Sequence, residues 1–296
     1  MVMENRGKVD LDSGFHQMRS EAINAFESQG FPTKKDEEWK YTSLNSVLKH
    51  DYSIFPKSEA AVEFKEVKKY FVHEIETYKI VFIDGVYSSF LSETTHDGYD
   101  ICLMSAALKK PKYKMVLDNY FNTIADKENS ITNLNTAFTM EGAYINIGKN
   151  KVLPKPIQIV NFYTGSEKDI LLQPRNLVVV GENSHVQIIE RHQSLSDNVV
   201  LTNAVTEIFA NKRAIVDHYK IQNDNDNASM IDSTYVQQKA NSIVSVNTYS
   251  FGGKLTRNNV EFFHEGEHIE SHINGISILD KKQHVDNHTL IHHKFL

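Results

Sequence analysis

Cysteine is almost missing from this chain: its 296 residues include one, Cys102. That excludes an internal disulfide and any zinc or cluster site built from several cysteines of this chain alone. The neighbours of Cys102, Tyr99-Asp100-Ile101-Cys102-Leu103-Met104, read as an apolar strand, so a plain buried thiol is expected. A surplus of positive charge is missing too. With 32 basic and 38 acidic residues, a net charge of -6 and a sequence pI of about 6.2, the chain offers nothing to recruit nucleic acid or an anionic membrane. Long hydrophobic runs are absent, the longest being short stretches such as Lys79 to Ile83 and Asn176 to Val180. The N-terminus, MVMENRGKVD, lacks an apolar signal core, so a soluble, cytoplasmic protein is expected. No Walker-type phosphate loop, G-x-S-x-G elbow or dinucleotide fingerprint occurs, which argues against nucleotide hydrolysis by this chain.

What is present changes character along the chain. Residues 12 to 48 read as helical, with Phe15, Met18, Ala22, Ala25 and Phe26 at spacings of three and four before Gly30 and Pro32. Thr33 and Asp36 resemble a capping box for a second short helix carrying Glu37, Glu38 and Trp39. A further helix is expected between Ala106 and Ala125. From Tyr78 onward strand-like runs dominate: Lys79 to Ile83, Ala143 to Ile147, Ile157 to Tyr163 and Leu177 to Val180. A division into a helical region, 1–75, and a β region, 76–296, follows. Within the β region Asn183, Asn211 and Asn241 each stand three residues before an apolar residue, Val186, Ala214 and Val244. Offsets of 28 and 30 residues suit a β-solenoid, whose coils repeat strands and corners in order; a β-sandwich or barrel with regular hairpins is the alternative.

Half of the 14 histidines crowd into residues 261–296. His264, His268 and His272 are four apart, and so are His284, His288 and His292, which makes these six the candidate metal ligands. On a helix such neighbours could share an ion, but on a strand they stand about 13 Å apart. Asn274-Gly275 reads as a turn, Gly266 as a breaker, and Ile269, Ser271 and Ile273 alternate with His268, Glu270 and His272. Strands are therefore expected, with mixed His-Glu-His and His-Asp-His rows along a polar sheet face and no dedicated metal site; metal binding would need convergence between strands. The fragment HEGEH has the letters of a zincin motif, but Gly266 and the strand context oppose the helix that motif needs. Paired carboxylates Glu37 with Glu38 and Asp224 with Asp226 read as solvated, and no catalytic residue emerges. Two other classes are weighed: a metal-dependent, cupin-like β enzyme using the His/Glu cluster, and a β-helix carbohydrate-active protein.

Two stretches carry a family likeness. FPTKKDEEWKYTSL, Phe31 to Leu44, resembles the N-terminal signature of the SufD proteins of iron–sulfur cluster assembly. RNNVEFFHEGEHIESHINGISILDKKQHVDNHTLIHHKF, Arg257 to Phe295, resembles the β-core segment shared by SufD and SufB, and Glu141 to Tyr163 fits the start of that core. The resemblance implies a mainly β fold, a right-handed parallel β-helix preceded by a small helical region. It implies a non-catalytic scaffold subunit acting with a SufB-like subunit and a SufC-like ATPase. It also implies no tightly held cofactor in this chain, iron or a cluster being held only at an interface shared with partners. Family members continue beyond the histidine-rich segment through a Pro-Asn-Cys stretch, further coils and a C-terminal helical domain. The expectation is therefore a fragment or a shortened form, without the family's C-terminal interface residues. An open last coil invites association, including with a second copy.

Overall fold

The computed structural model describes residues 16–54, 62–93, 99–139, 141–165 and 169–295. Its strands are β1 (Tyr78–Ile83), β2 (Val86–Tyr87), β3 (Asp100–Leu103), β4 (Ala143–Ile147), β5 (Ile157–Tyr163), β6 (Ile170–Leu172), β7 (Arg175–Val180), β8 (His185–Ser194), β9 (Val200–Ala210), β10 (Ile215–Asn223), β11 (Ser229–Lys239), β12 (Ile243–Ser250), β13 (Leu255–Glu265), β14 (Glu270–Ser277) and β15 (His284–His293). They form two sheets, ordered β14-β12-β10-β8-β5-β1-β2 and β15-β13-β11-β9-β7-β4-β3. From β7 to β15 successive long strands alternate between the sheets and pair in parallel with the strand one coil away. The result is a β-solenoid of about five turns. Among the described residues no helix is long and apolar enough to cross a membrane.

Corners and columns explain why these residues coil. Asn150, Asn183, Arg213, Asn241 and His268 all take positive φ, between 54° and 60°. They occupy one corner of successive coils, and the backbone N–H of Asn183, Arg213 and Asn241 donates to the carbonyls of Lys212, Ala240 and Glu267 in the next coil. Asparagine tolerates this left-handed conformation better than most residues, which is why the repeated Asn is visible in the sequence. The middle of the sequence echo is displaced, however: Arg213, not Asn211, stands in register with Asn183 and Asn241, and Val216, not Ala214, pairs with Val186 and Val244. A slip of two keeps the same face inward. Val186, Ala214 and Val244 accordingly all lie in one interior cluster with Ile145, Ile188 and Phe262.

The two sheets differ in burial. β8 and β10 alternate between buried and half-buried residues, whereas β9 is buried along its whole length. The covering layer is helical: α1 (His16–Gln29) and, beyond α2 (Phe64–Val67), α3 (Met104–Lys109), α4 (Lys114–Tyr120) and α5 (Ser130–Phe138). Ala22, Ile23 and Phe26 of α1 and Ile131, Leu134 and Phe138 of α5 pack on Leu171, Leu201, Ile231 and Leu255. Phe15, expected at the start of this apolar face, lies outside the described residues. The helix expected between Ala106 and Ala125 is broken at Pro111, where a 3-10 turn, Pro111–Tyr113, separates α3 from α4. α5 has no counterpart in the sequence reading, because Asn133, Asn135 and Thr136 interrupt its apolar pattern yet are buried. Their needs are met: Asn135 donates to the carbonyls of Pro174 at 3.0 Å and Asn203 at 2.7 Å, and Asn129 caps the helix by accepting from the N–H groups of Ile131 and Thr132. The Asn274-Gly275 turn is not formed; both residues lie inside β14.

Gly142 meets the solenoid at a contact no side chain can share. A Cβ there would sit 1.8 Å from the carbonyl oxygen of Arg175, whereas one on Gly148 meets nothing within 4 Å. Gly142→Ala is expected to lose about 2–3 kcal/mol of stability through forced backbone displacement, and Gly148→Ala to leave the urea midpoint almost unchanged. Equal midpoints for the two variants would contradict the packing.

Candidate functional site

The histidine-rich segment does not gather its ligands. His264 lies in β13, His272 in β14, and His284, His288 and His292 in β15, while His268 sits in the corner between β13 and β14. His272 in β14 lies on the other sheet from the β15 row, whereas His264 in β13 stands beside β15 in register with His293; within each row the histidines are spread along strand and corner. Among the described residues no group of three or more His, Cys, Asp or Glu side chains is placed to hold a metal ion. Acids and rings partner the histidines instead. His292 lies 2.6 Å from Glu261 through Nε2 and stacks on Phe263 at 4.8 Å. His272 and His268 approach Glu270 at 3.7 Å and Glu267 at 4.0 Å. His288 pairs in register with Asn259. HEGEH straddles the end of β13 and a corner, so the zincin geometry is absent.

The two stretches that carried the family likeness touch each other. Asp36 accepts from the Thr33 N–H at 2.6 Å, and the 3-10 turn Glu37–Trp39 that follows buries Trp39. Arg257, itself buried, faces the Trp39 ring at 4.2 Å and donates to the Glu38 carbonyl at 2.7 Å and to Asp286 at 2.6 Å. The Thr42 hydroxyl spends its single proton on Asp286. His284 Nε2, 3.1 Å from the same oxygen, is then the donor to it. Residues 38–42 are thereby clamped to β13 and β15 by a cation over an aromatic face and a shared carboxylate. Glu37 and Glu38 are exposed, as their setting suggested.

Inside the solenoid lies a polar cluster that the sequence reading missed. Along β8 the inward phase runs Val186, Ile188, Glu190, His192, and along β10 it runs Val216, His218, Lys220, Gln222. One end of the interior between the sheets is therefore apolar and the other charged. Glu190 is fully buried and accepts from His218 Nε2 at 2.9 Å, from His192 Nε2 at 3.1 Å and from Asn176 at 3.1 Å. Lys220 pairs with Asp232 and donates to Thr234 at 2.7 Å, and Tyr163 meets His192 Nδ1. Burial alone pushes the Glu190 carboxyl up, but Lys220 and the two imidazoles outweigh it and hold the group well below its ordinary value. Asp224, read as a solvated loop residue, is in fact buried beside this cluster, accepting from Ser194 at 3.0 Å and Gln222 at 3.1 Å. Burial raises its pKa. Asp226 does face solvent and pairs with Lys281 at 2.6 Å. The signal for the cluster was available: Glu190 and His192 continue the period of two that Val186 and Ile188 set.

A second buried pair joins the helical layer to the solenoid. Arg175 and Glu207 are both fully buried, 2.6 Å apart. Glu207 also accepts the backbone N–H groups of Asn122, Thr123, Ile124 and Ala125 at 2.7 to 3.3 Å. Arg175 donates as well to Asn122, Asn135 and Thr136, with its guanidinium 5.1 Å from the Phe121 ring. Cys102, by contrast, is half-buried in β3, and burial pushes its thiol up. It is poorly suited to act as a thiolate nucleophile.

Comparison with known proteins returns one family along the chain. The model of the SufBD protein N-terminal region matches residues 7–159, and that of the SUF system FeS cluster assembly SufBD core domain matches residues 162–295. An iron–sulfur cluster assembly SufBD family protein of Synechocystis is 27% identical over 288 residues, covering 95% of this chain and 63% of the relative. The iron–sulfur cluster assembly protein SufD of Escherichia coli is 21% identical over 272 residues, covering 89% and 59%. The chloroplastic protein ABCI7 of Arabidopsis thaliana is 22% identical over 287 residues, covering 93% and 58%. The chain thus spans about three fifths of the length of these relatives.

Proposed function

The chain belongs to the SufBD family of the SUF iron–sulfur cluster assembly system, and on that footing we propose that it is a non-catalytic scaffold subunit acting with a SufB-like subunit and a SufC-like ATPase in the cytoplasm. The observation that carries this reading is the pair of family matches, which follow each other along nearly the whole chain. The chemistry agrees with it. No phosphate-binding loop occurs, so ATP hydrolysis falls to a partner. One cysteine cannot ligate a cluster alone, so the cluster is cargo, held at an interface to which partners bring most of the thiolates.

The test is co-expression of the tagged chain with the SufB-type and SufC-type subunits of the same genome under anaerobic conditions. A stoichiometric complex should elute together, and the ATPase rate of the SufC-type subunit should differ in its presence. Elution of this chain alone, or as a dimer of itself, with no change in ATPase rate would defeat the scaffold role.

A further inference from the structure

The last coils of the solenoid end on a polar column. On the inward side of the second sheet, Ala210, Gln238, His264 and His293 follow one another in register. On the first sheet Ser271 takes the place that Val186, Val216 and Val244 hold in earlier coils. His264 and His293 face each other with their Nδ1 atoms 3.4 Å apart and ring planes at 78°. The hydrogen bonds around them determine which nitrogen carries the proton. Ser271 donates its hydroxyl proton to Gln238 at 2.6 Å, so its oxygen must accept from His264 Nε2, 2.8 Å away. His264 is therefore protonated on Nε2, and its Nδ1 lone pair points at His293.

We propose that His264 and His293 form a two-imidazole site for a borderline divalent transition metal such as zinc. Two imidazole nitrogens bound to one tetrahedral zinc at about 2.0–2.1 Å lie about 3.3–3.4 Å apart, the separation found between these rings. The Nε2–H to Ser271 bond is the outer-shell contact that orients a metal-binding imidazole. Neighbouring groups are already committed: His292 to Glu261, and Glu265 to Lys239 and Lys294. His293 itself is exposed. Nitrogen donors exclude magnesium and calcium as the natural occupants. His293 stands outside the two four-residue rows, and the pair forms across strands, which is the route strand geometry leaves open. No partner subunit is involved, so this site stands or falls separately from the scaffold role.

Isothermal titration of the chelator-stripped full chain with zinc alone should give one saturable equivalent, and magnesium none. His264→Gln and His293→Gln should each weaken that binding by about ten-fold or more, and Ser271→Ala by a smaller factor, since it only frees the ring that Ser271 orients. His288→Gln, on the same strand, should leave it unchanged. Melting temperatures without metal should match across the set. Absence of saturable binding, or binding that survives in the His264→Gln/His293→Gln double variant, would overturn the proposal.

Discussion

Arg175→Met is expected to lower stability by about 3–5 kcal/mol, because it strands a buried carboxylate rather than merely deleting a contact. Glu207 is sealed from water together with Arg175, and with the guanidinium gone its negative charge has only four backbone N–H donors around it. Glu207→Leu should cost a similar amount for a different reason. It leaves those N–H groups at 122–125 without an acceptor as well as the guanidinium without a counter-charge. The double variant Arg175→Met/Glu207→Leu removes both charges but not the loop's need for an acceptor, so it should be less damaging than the summed single losses without reaching wild type. Urea denaturation followed by circular dichroism measures all three. Losses below about 1 kcal/mol in both single variants would mean the pair is not the joint between helical layer and solenoid.

Glu190→Leu should be comparably severe, again about 3–5 kcal/mol, since His192 and His218 both bond to that one carboxylate inside the solenoid and Lys220 adds a favourable charge beside it. Glu190→Gln keeps an acceptor for the imidazoles and should lose less. The pH dependence has a definite sign. The folded-state pKa of Glu190 lies well below its ordinary value of 4.5, so the unfolded chain binds the proton more readily. The stabilisation is complete above about pH 4.5 and is lost as pH falls toward the folded-state value. Wild type should therefore lose stability on acidification below pH 4.5 more steeply than Glu190→Gln. Parallel acid-unfolding curves would show that the cluster does not hold the charge on Glu190.

Much of the solenoid was legible because it rests on local chemistry. Asn183 and Asn241 mark corners where a left-handed residue is needed, and the period of two in β8 and β10 points alternate side chains inward. The register was harder to read, since Arg213 occupies an asparagine position and Asn211 two residues earlier imitates it. α5 escaped because its polar residues are satisfied by strands far away in sequence, which no local pattern records. Asn274-Gly275 has turn composition but runs through β14, where pairing with Asn247 and Thr248 decides its conformation. The candidate site divides in the same way. Strand geometry was enough to disperse the six four-spaced histidines. The pairing of His264 with His293 depends on a strand-to-strand register set by two intervening corners. The charges inside the solenoid went unread because Glu and Lys on an inward phase contradict the expectation that such residues stay solvated.

The clamp around Trp39 also sets an order of events during synthesis. Neighbouring coils pair residues about 30 positions apart, so each new coil can settle on the last as it leaves the ribosome. The Trp39 turn cannot follow that schedule: Arg257 is 219 residues downstream of Glu38, and Asp286 is 244 downstream of Thr42. At translation rates of about 5–20 residues per second, those partners arrive roughly 10–50 s after the signature has emerged. For that interval an indole destined for burial stays without its cover. The clamp therefore closes only after β13 and β15 have been made, and it reports that the signature and the coils it grips are both in place.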